Sequence, residues 1–329
     1  MSESVPWREA WRSALYGRDG FYRRASGPAA HFTTATHAGP GRALARTLRA
    51  WADRYGLDGI VDVGAGRGEL LRHLYACAPG RPLTGLDVVA RPADLPDEVA
   101  WVGSPGGPDL PADWRPERSL VVAHEWLDVV PCTVAEVAPD GSLRELLAPP
   151  APGSCSEPHP NPAPDTTTQS LGPPLRGPDL EWCRRFWPSA LGPDARPGHR
   201  VEVGRQRDDA WSDLLDRLPA GSMAVAVDYG HTADDRPVEG TLVAHREGRL
   251  VDPVPDGSCD LTAHVAVDSL RQTRRLRQRD AVDATTTPDH GLASRDPAAY
   301  LEALADHSAV AALRRTGGFG DFWWVVAEV

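Results

Sequence analysis

The chain has 329 residues, a net charge of −11 and 35 cationic side chains, every one of them arginine. Without lysine there is no Schiff-base amine and no phosphate-binding lysine, which excludes pyridoxal-phosphate enzymes, Schiff-base aldolases, Walker A nucleotidases and ordinary protein kinases. The acidic balance argues against a general nucleic-acid binder, while 41% hydrophobic and 25% charged residues are ordinary globular values.

A single isoleucine (Ile60) and a single asparagine (Asn161) mark the lysine gap as part of a wider compositional bias. The cysteines Cys77, Cys132, Cys155, Cys183 and Cys259 are odd in number and too scattered for a disulfide framework or a zinc site. The first residues carry no secretory signal, and no run approaches the ~18 apolar residues of a membrane span. A cytoplasmic protein with no metal, membrane or nucleic-acid partner is expected.

In chain order, residues 41–55 place Leu44, Leu48, Trp51 and Tyr55 on one helical stripe that Gly56 stops. GIVDV (59–63) is a short apolar strand, followed by the glycine turn GAGRG and a helix carrying Leu70, Leu71 and Leu74. PLTGLDVV (82–89), VAWVG (99–103) and SLVVAHE (119–125) are further strand candidates between Pro/Gly-rich connectors. Residues 149–178 hold ten prolines and almost no aliphatic side chain, and read as a flexible surface insertion. Beyond it come a helix at 206–218, a buried strand at 222–230, a hairpin at 240–253, a helix at 297–315 and a closing strand at 318–329. The basic stretch 271–279 reads as a solvated helix face, with docking of an acidic partner the alternative. Trp323 and Trp324 are expected to cover the sheet edge. Alternation of strand and helix predicts an α/β fold with a doubly wound, mostly parallel sheet.

The sharpest local signal is Asp62-Val63-Gly64-Ala65-Gly66-Arg67-Gly68-Glu69, with Asp87 and Val88 at the end of the next strand. A glycine turn from strand to helix lets a cofactor approach the backbone, and an acidic residue about twenty positions on can hold ribose hydroxyls. The dinucleotide pattern G-x-G-x-x-G is broken here, because the third glycine comes one residue early. Asp62 would repel a pyrophosphate but attract the ammonium of an amino acid. S-adenosyl-L-methionine carries that ammonium and a ribose and has no phosphate, so it is the cofactor expected. A nicotinamide-dependent oxidoreductase is the rival reading of the same turn.

The remaining blocks resemble the MidA-like family of class I methyltransferases, which includes an arginine-methylating mitochondrial complex I assembly factor. The resemblance runs from about residue 27 to the end of the chain. It rests on GPAAHFTTATHAGPGRALA (27–45), AHEWLDVVP (123–131), VDYG (227–230), GTLVAHREGRLVDP (240–253) and DLTAHVAVDSL (260–270). It implies a Rossmann-like domain in two parts (57–148 and 179–261), an N-terminal helical segment and active-site cap (1–56), an added helical subdomain (262–315) and a C-terminal strand (316–329). It also implies that Gly64, Ala65, Gly66 and Gly68 line the cofactor, with Asp62 near its amino group, Asp87 and Val88 at its ribose end, and Phe32, Thr33 and Thr34 closing over it. Glu125, Asp128, His124 and Asp228 would face the transferring methyl, Asp228 beside Tyr229. His124 stands where the family has asparagine, and 128–131 reads D-V-V-P where it has D-A-L-P.

Two carboxylates three residues apart can grip a planar guanidinium through paired hydrogen bonds. Glu125 and Asp128 could do this; the alternative is that Glu125 binds the cofactor and Asp128 caps the following loop. His124 is more commonly a packed histidine than a base, and His264 is expected to orient a loop. The expected acceptor is a protein, with arginine the specific candidate. A small-molecule acceptor and a non-catalytic assembly protein that keeps the fold are the alternatives.

Overall fold

Apolar runs without polar alternation belong inside a sheet that is covered on both faces. The computed structural model describes residues 4–24, 35–149, 169–285 and 287–329. Its first half holds α1 (Trp7–Tyr16), a 3-10 turn (Phe21–Arg23), α2 (Ala38–Arg54), β1 (Gly59–Val63), α3 (Glu69–Cys77), β2 (Leu83–Asp87), β3 (Val99–Gly103) and β4 (Ser119–His124). An excursion follows: β5 (Thr133–Val137), β6 (Leu143–Leu147), β7 (Ser170–Pro174), α4 (Gly177–Phe186), β8 (Arg200–Val203) and α5 (Arg205–Asp216). Next are β9 (Met223–Asp228), β10 (Gly230–His231), β11 (Val243–Arg246), β12 (Arg249–Val251), β13 (Asp260–Thr262) and β14 (Val265–Ala266). The chain ends with β15 (Arg274–Arg277), α6 (Gln278–Ala281), α7 (His290–Arg295), α8 (Pro297–Arg314) and β16 (Trp323–Glu328).

The main sheet has the order β15-β16-β9-β4-β1-β2-β3. β3, β2, β1, β4 and β9 pair in parallel, and β16 runs antiparallel between β9 and β15. Alternate residues of the strands feed two cores. Ile60, Leu120, Val122, Val225, Val227, Trp324 and Val326 face α2, α3 and α8. Val61, Val63, Val121, Ala123, Ala224 and Ala226 pack with Trp211, Leu214 and Leu215 of α5. At about 25 cal/mol per Å² of apolar surface removed from water, these two layers are the main source of stability. A four-stranded antiparallel sheet (β7-β6-β5-β8) and a three-stranded one (β12-β11-β13) stand beside the main sheet.

Three sequence expectations are corrected. The expected insertion at 149–178 is too long at its C-terminal end, where 170–174 form β7 and α4 begins at Gly177. Leu175 is buried, and β7 lies at the edge of its sheet, where Pro173 and Pro174 need not donate to a ladder. The basic stretch 271–279 is not a helix face, because Arg274–Arg277 form the outer strand β15, whose charged side chains suit an edge. The segment 262–315 thus holds strands as well as helices, and α8 packs on α2 against the main core. Trp323 and Trp324 sit on β16, one strand in from the edge: Trp324 is fully buried against Trp51, and its indole donates to Gln278 (3.1 Å). Among the described residues, no helix is long and apolar enough to cross a membrane.

Candidate active site

β1 ends where the backbone must turn sharply into α3. Gly64, Gly66 and Gly68 take φ of +73°, +57° and +77°, the left-handed region that costs other residues energy. A Cβ at Gly64 would lie 3.3 Å from Trp126, and one at Gly68 3.0 Å from Leu95. The turn is tied to β2 by Asp87, whose carboxylate accepts from the N–H of Gly66 (2.8 Å) and of Val89 (3.0 Å). Burial pushes Asp87 up to about 6 against the opposing pull of those N–H groups. Asp62, just before the turn and 3% exposed, is pushed up to about 8 by burial and then by Asp87 and Glu69.

β4 delivers the second group. Glu125 has a φ of +50°, rare for a residue with a side chain, and its N–H is held by the carbonyl of Val227 at 2.9 Å. Trp126 then covers Gly64 and donates to the carbonyl of Gly107 (3.2 Å). The Leu127 N–H donates to Asp228 Oδ2 (3.1 Å), and the Thr262 hydroxyl donates to Asp128 Oδ2 (2.7 Å). The other oxygens, Asp128 Oδ1 and Asp228 Oδ1, are buried and accept no hydrogen bond among the described residues. Burial, then Asp128, pushes Asp228 well above the usual carboxylate range. Glu125 is raised for the same first reason, followed by Asp128 and Asp260. His124 Nδ1 lies 3.3 Å from Glu125 Oε1, and burial lowers the imidazole to about 4, so it is neutral at pH 7. A neutral, buried imidazole orients its neighbour better than it accepts a proton.

Both groups open on one cavity of about 250 Å³. Asp62, Gly64, Ala65, Gly66, Asp87 and Val88 line it from the glycine turn and β2, and His124, Glu125 and Asp128 from the end of β4. Of the expected site residues, Gly68 caps α3 outside the lining, and Asp228 stands behind Asp128. Phe32, Thr33 and Thr34 lie outside the described residues. The cavity walls also carry Tyr16, Tyr22, Trp126, His245, Asp260 and Thr262, none of them singled out from the sequence. Asp260 and Thr262 were within reach of such a reading, since they open the DLTAH block. His264, from that same block, stacks on Tyr229 at 5.9 Å and does not line the cavity. Four carboxyls, Glu125, Asp128, Asp228 and Asp260, are buried or largely buried at or behind the cavity wall. Among the described residues, no arginine forms an ion pair with any of them.

The donor set fits an aminoacyl nucleoside: a glycine cradle that side chains would fill, a buried carboxyl for an ammonium and a second at the β2 end for a ribose. A family model for S-adenosyl-L-methionine-dependent methyltransferases, Methyltransf_28, matches residues 85–283. Among solved structures, a COG1565 superfamily member from Burkholderia thailandensis bound to S-adenosyl-homocysteine is 21% identical with a TM-score of 0.71, covering 98% of this chain and 87% of that one. The native crystal structure of an uncharacterized COG1565 superfamily protein from the same organism gives the same identity and TM-score over 99% and 87%. No curated protein matches the chain.

Proposed function

The chain belongs to the MidA-like family of S-adenosylmethionine-dependent methyltransferases, and from that premise we propose that its acceptor is an arginine side chain of a protein. The observation that carries this reading is the group of four carboxyls at or behind the cavity wall, buried without an arginine partner among the described residues. Uncompensated buried carboxyls are costly, and a cation entering the cavity relieves that cost. A guanidinium suits it best, being planar, permanently charged and matched to carboxylates in pairs.

In this reading S-adenosylmethionine supplies an electrophilic methyl group on a sulfonium. The glycine turn holds the methionine and ribose portions, Asp62 pairs with the ammonium, Asp87 accepts from the ribose hydroxyls, and Val88 packs beside them. Glu125 and Asp128 align one guanidinium nitrogen in the water-poor cavity, and Glu125 takes the proton that nitrogen loses. His124 orients Glu125, Asp228 holds the Leu127 backbone, and Thr262 holds Asp128. A cytoplasmic setting accords with Cys77, Cys132, Cys183 and Cys259, the cysteines among the described residues, being free thiols.

The test is labelled methyl transfer from S-adenosylmethionine into lysate proteins and arginine-containing peptides, with mass spectrometry of the products. Glu125→Gln is expected to lower transfer by roughly 10²–10⁴-fold while S-adenosylhomocysteine affinity is kept. Asp87→Ala is expected to weaken the cofactor itself. Label on free small molecules with none on protein would replace this acceptor, and tight cofactor binding without transfer would indicate a non-catalytic protein.

A further inference from the structure

The three-stranded sheet and the N-terminal segment bring two groups to the cavity that lie outside the main sheet. Asp260 begins β13 in the three-stranded sheet, is 3% exposed and lines the cavity two residues before Thr262. Tyr22, from the turn after α1, donates its hydroxyl to Asp260 Oδ1 at 2.7 Å, across 238 residues of sequence. We infer that Asp260 is an acceptor-binding carboxylate oriented by Tyr22, closing a clamp on the guanidinium together with Glu125, from a different sheet of the fold. This rests on the cationic-acceptor reading and deepens it by assigning the second half of the grip.

The charged and titratable surroundings support that assignment. Tyr22 and Tyr16 face Asp260 from the N-terminal elements, Glu125 and Asp128 from the loop after β4, and Cys259 precedes it in the chain. His245 sits opposite it in the β11–β13 register, and Arg24 lines the same cavity. Burial raises Asp260 to about 8 and the Tyr22 hydroxyl pulls it down, so the tyrosine keeps the carboxyl within reach of ionisation near neutral pH. If the site were only a structural contact, an apolar pair would hold β13 to the N-terminal turn at lower cost.

A guanidinium explains why two carboxylates are needed. It presents five N–H donors in one plane, and a single carboxylate satisfies two of them. In a cavity poor in water the remaining donors need a second acceptor, or binding loses their hydrogen bonds outright. Asp260 supplies it from another layer of the fold. The clamp therefore selects a planar guanidinium over an ammonium, which a single carboxylate and its surroundings can satisfy.

Methylguanidinium titrated calorimetrically into the protein loaded with S-adenosylhomocysteine tests this, using wild type, Glu125→Gln, Asp260→Asn and Tyr22→Phe. Unchanged S-adenosylhomocysteine affinity shows that each variant is folded. Asp260→Asn is expected to weaken methylguanidinium by ~10-fold or more, the loss of about one charge-assisted hydrogen bond, with methylammonium affected far less. Tyr22→Phe is expected to move the acidic limb of methylguanidinium binding to higher pH, because losing the O–H donor makes Asp260 harder to ionise. Binding that Glu125→Gln abolishes and Asp260→Asn leaves intact would overturn the clamp while leaving the cationic acceptor in place. A wild-type protein that does not bind methylguanidinium at all would overturn both.

Discussion

Glu125 and Gly64 meet the same backbone problem with opposite chemistry. Both lie in the left-handed region, at φ of +50° and +73°, but only glycine does so without cost. Glu125 also buries a carboxyl among Asp128 and Asp260. Glu125→Gly should therefore stabilise the ligand-free protein by about 1 kcal/mol or more while removing methyl transfer, as expected when strain is kept for function. Gly64→Ala should go the other way, losing roughly 1–2 kcal/mol and cofactor affinity, since the added methyl meets the left-handed cost and Trp126 at 3.3 Å. Urea unfolding of both variants checks the pair; destabilisation by Glu125→Gly would show that its side chain pays its own way in the folded state. At this scale the glycines and Asp62 were legible because their types are rare in that order. Asp260 was visible only as the start of the DLTAH block; its contact with a tyrosine 238 positions earlier was not.

Among the elements, α5 acts at a distance through one side chain. Arg207 is 1% exposed and donates to the carbonyls of Asp128 (2.8 Å), Val130 (3.2 Å) and His264 (2.7 Å), joining the loop after β4 to the one after β13. It sits on the helix stripe of Trp211 and Leu214, three and four positions from apolar residues, yet RQRDDAW reads as an ordinary polar helix start. Arg207→Met roughly keeps the volume but takes a donor from three carbonyls, of which that of Asp128 keeps the Ala263 N–H, so a loss of roughly 2 kcal/mol is expected by chemical denaturation, together with reduced transfer from a loosened Asp128. A loss below ~0.5 kcal/mol would mean that water replaces the guanidinium. The parallel strands were legible for a simple reason: burial on both faces leaves continuous apolar runs. β7 and β15 were hidden by proline and arginine, residues that edge strands tolerate and that otherwise signal loops or helix surfaces.

Across the whole molecule, the absence of lysine makes the response to alkali unusually simple to interpret. Arginine stays charged throughout, so no lysine titration overlies that of the buried carboxyls Asp62 and Asp260. Asp62 and Asp260 are held to about 8 and Asp87 to about 6, against roughly 4 when unfolded. A carboxyl raised in this way adds stability fully below its unfolded value and loses it as pH climbs through its folded value. His124 and His231, held to about 4 and about 3, act in reverse: their contribution is complete above ~6.5 and fades on acidification. Above about pH 7.5 His124 and His231 add no further change, and ligand-free stability should fall by about 1.4 kcal/mol per pH unit for each raised carboxyl still protonated in the fold. S-adenosylhomocysteine should change this, because its ammonium favours ionised Asp62 and its binding then releases a proton. The rise in melting temperature it produces should grow from pH 6 to 8, and Asp62→Asn should abolish that growth and flatten the ligand-free slope. A ligand-free melting temperature that stays level or rises as pH climbs past about 7.5 would contradict the assignment, placing the carboxyls as ions in the empty cavity.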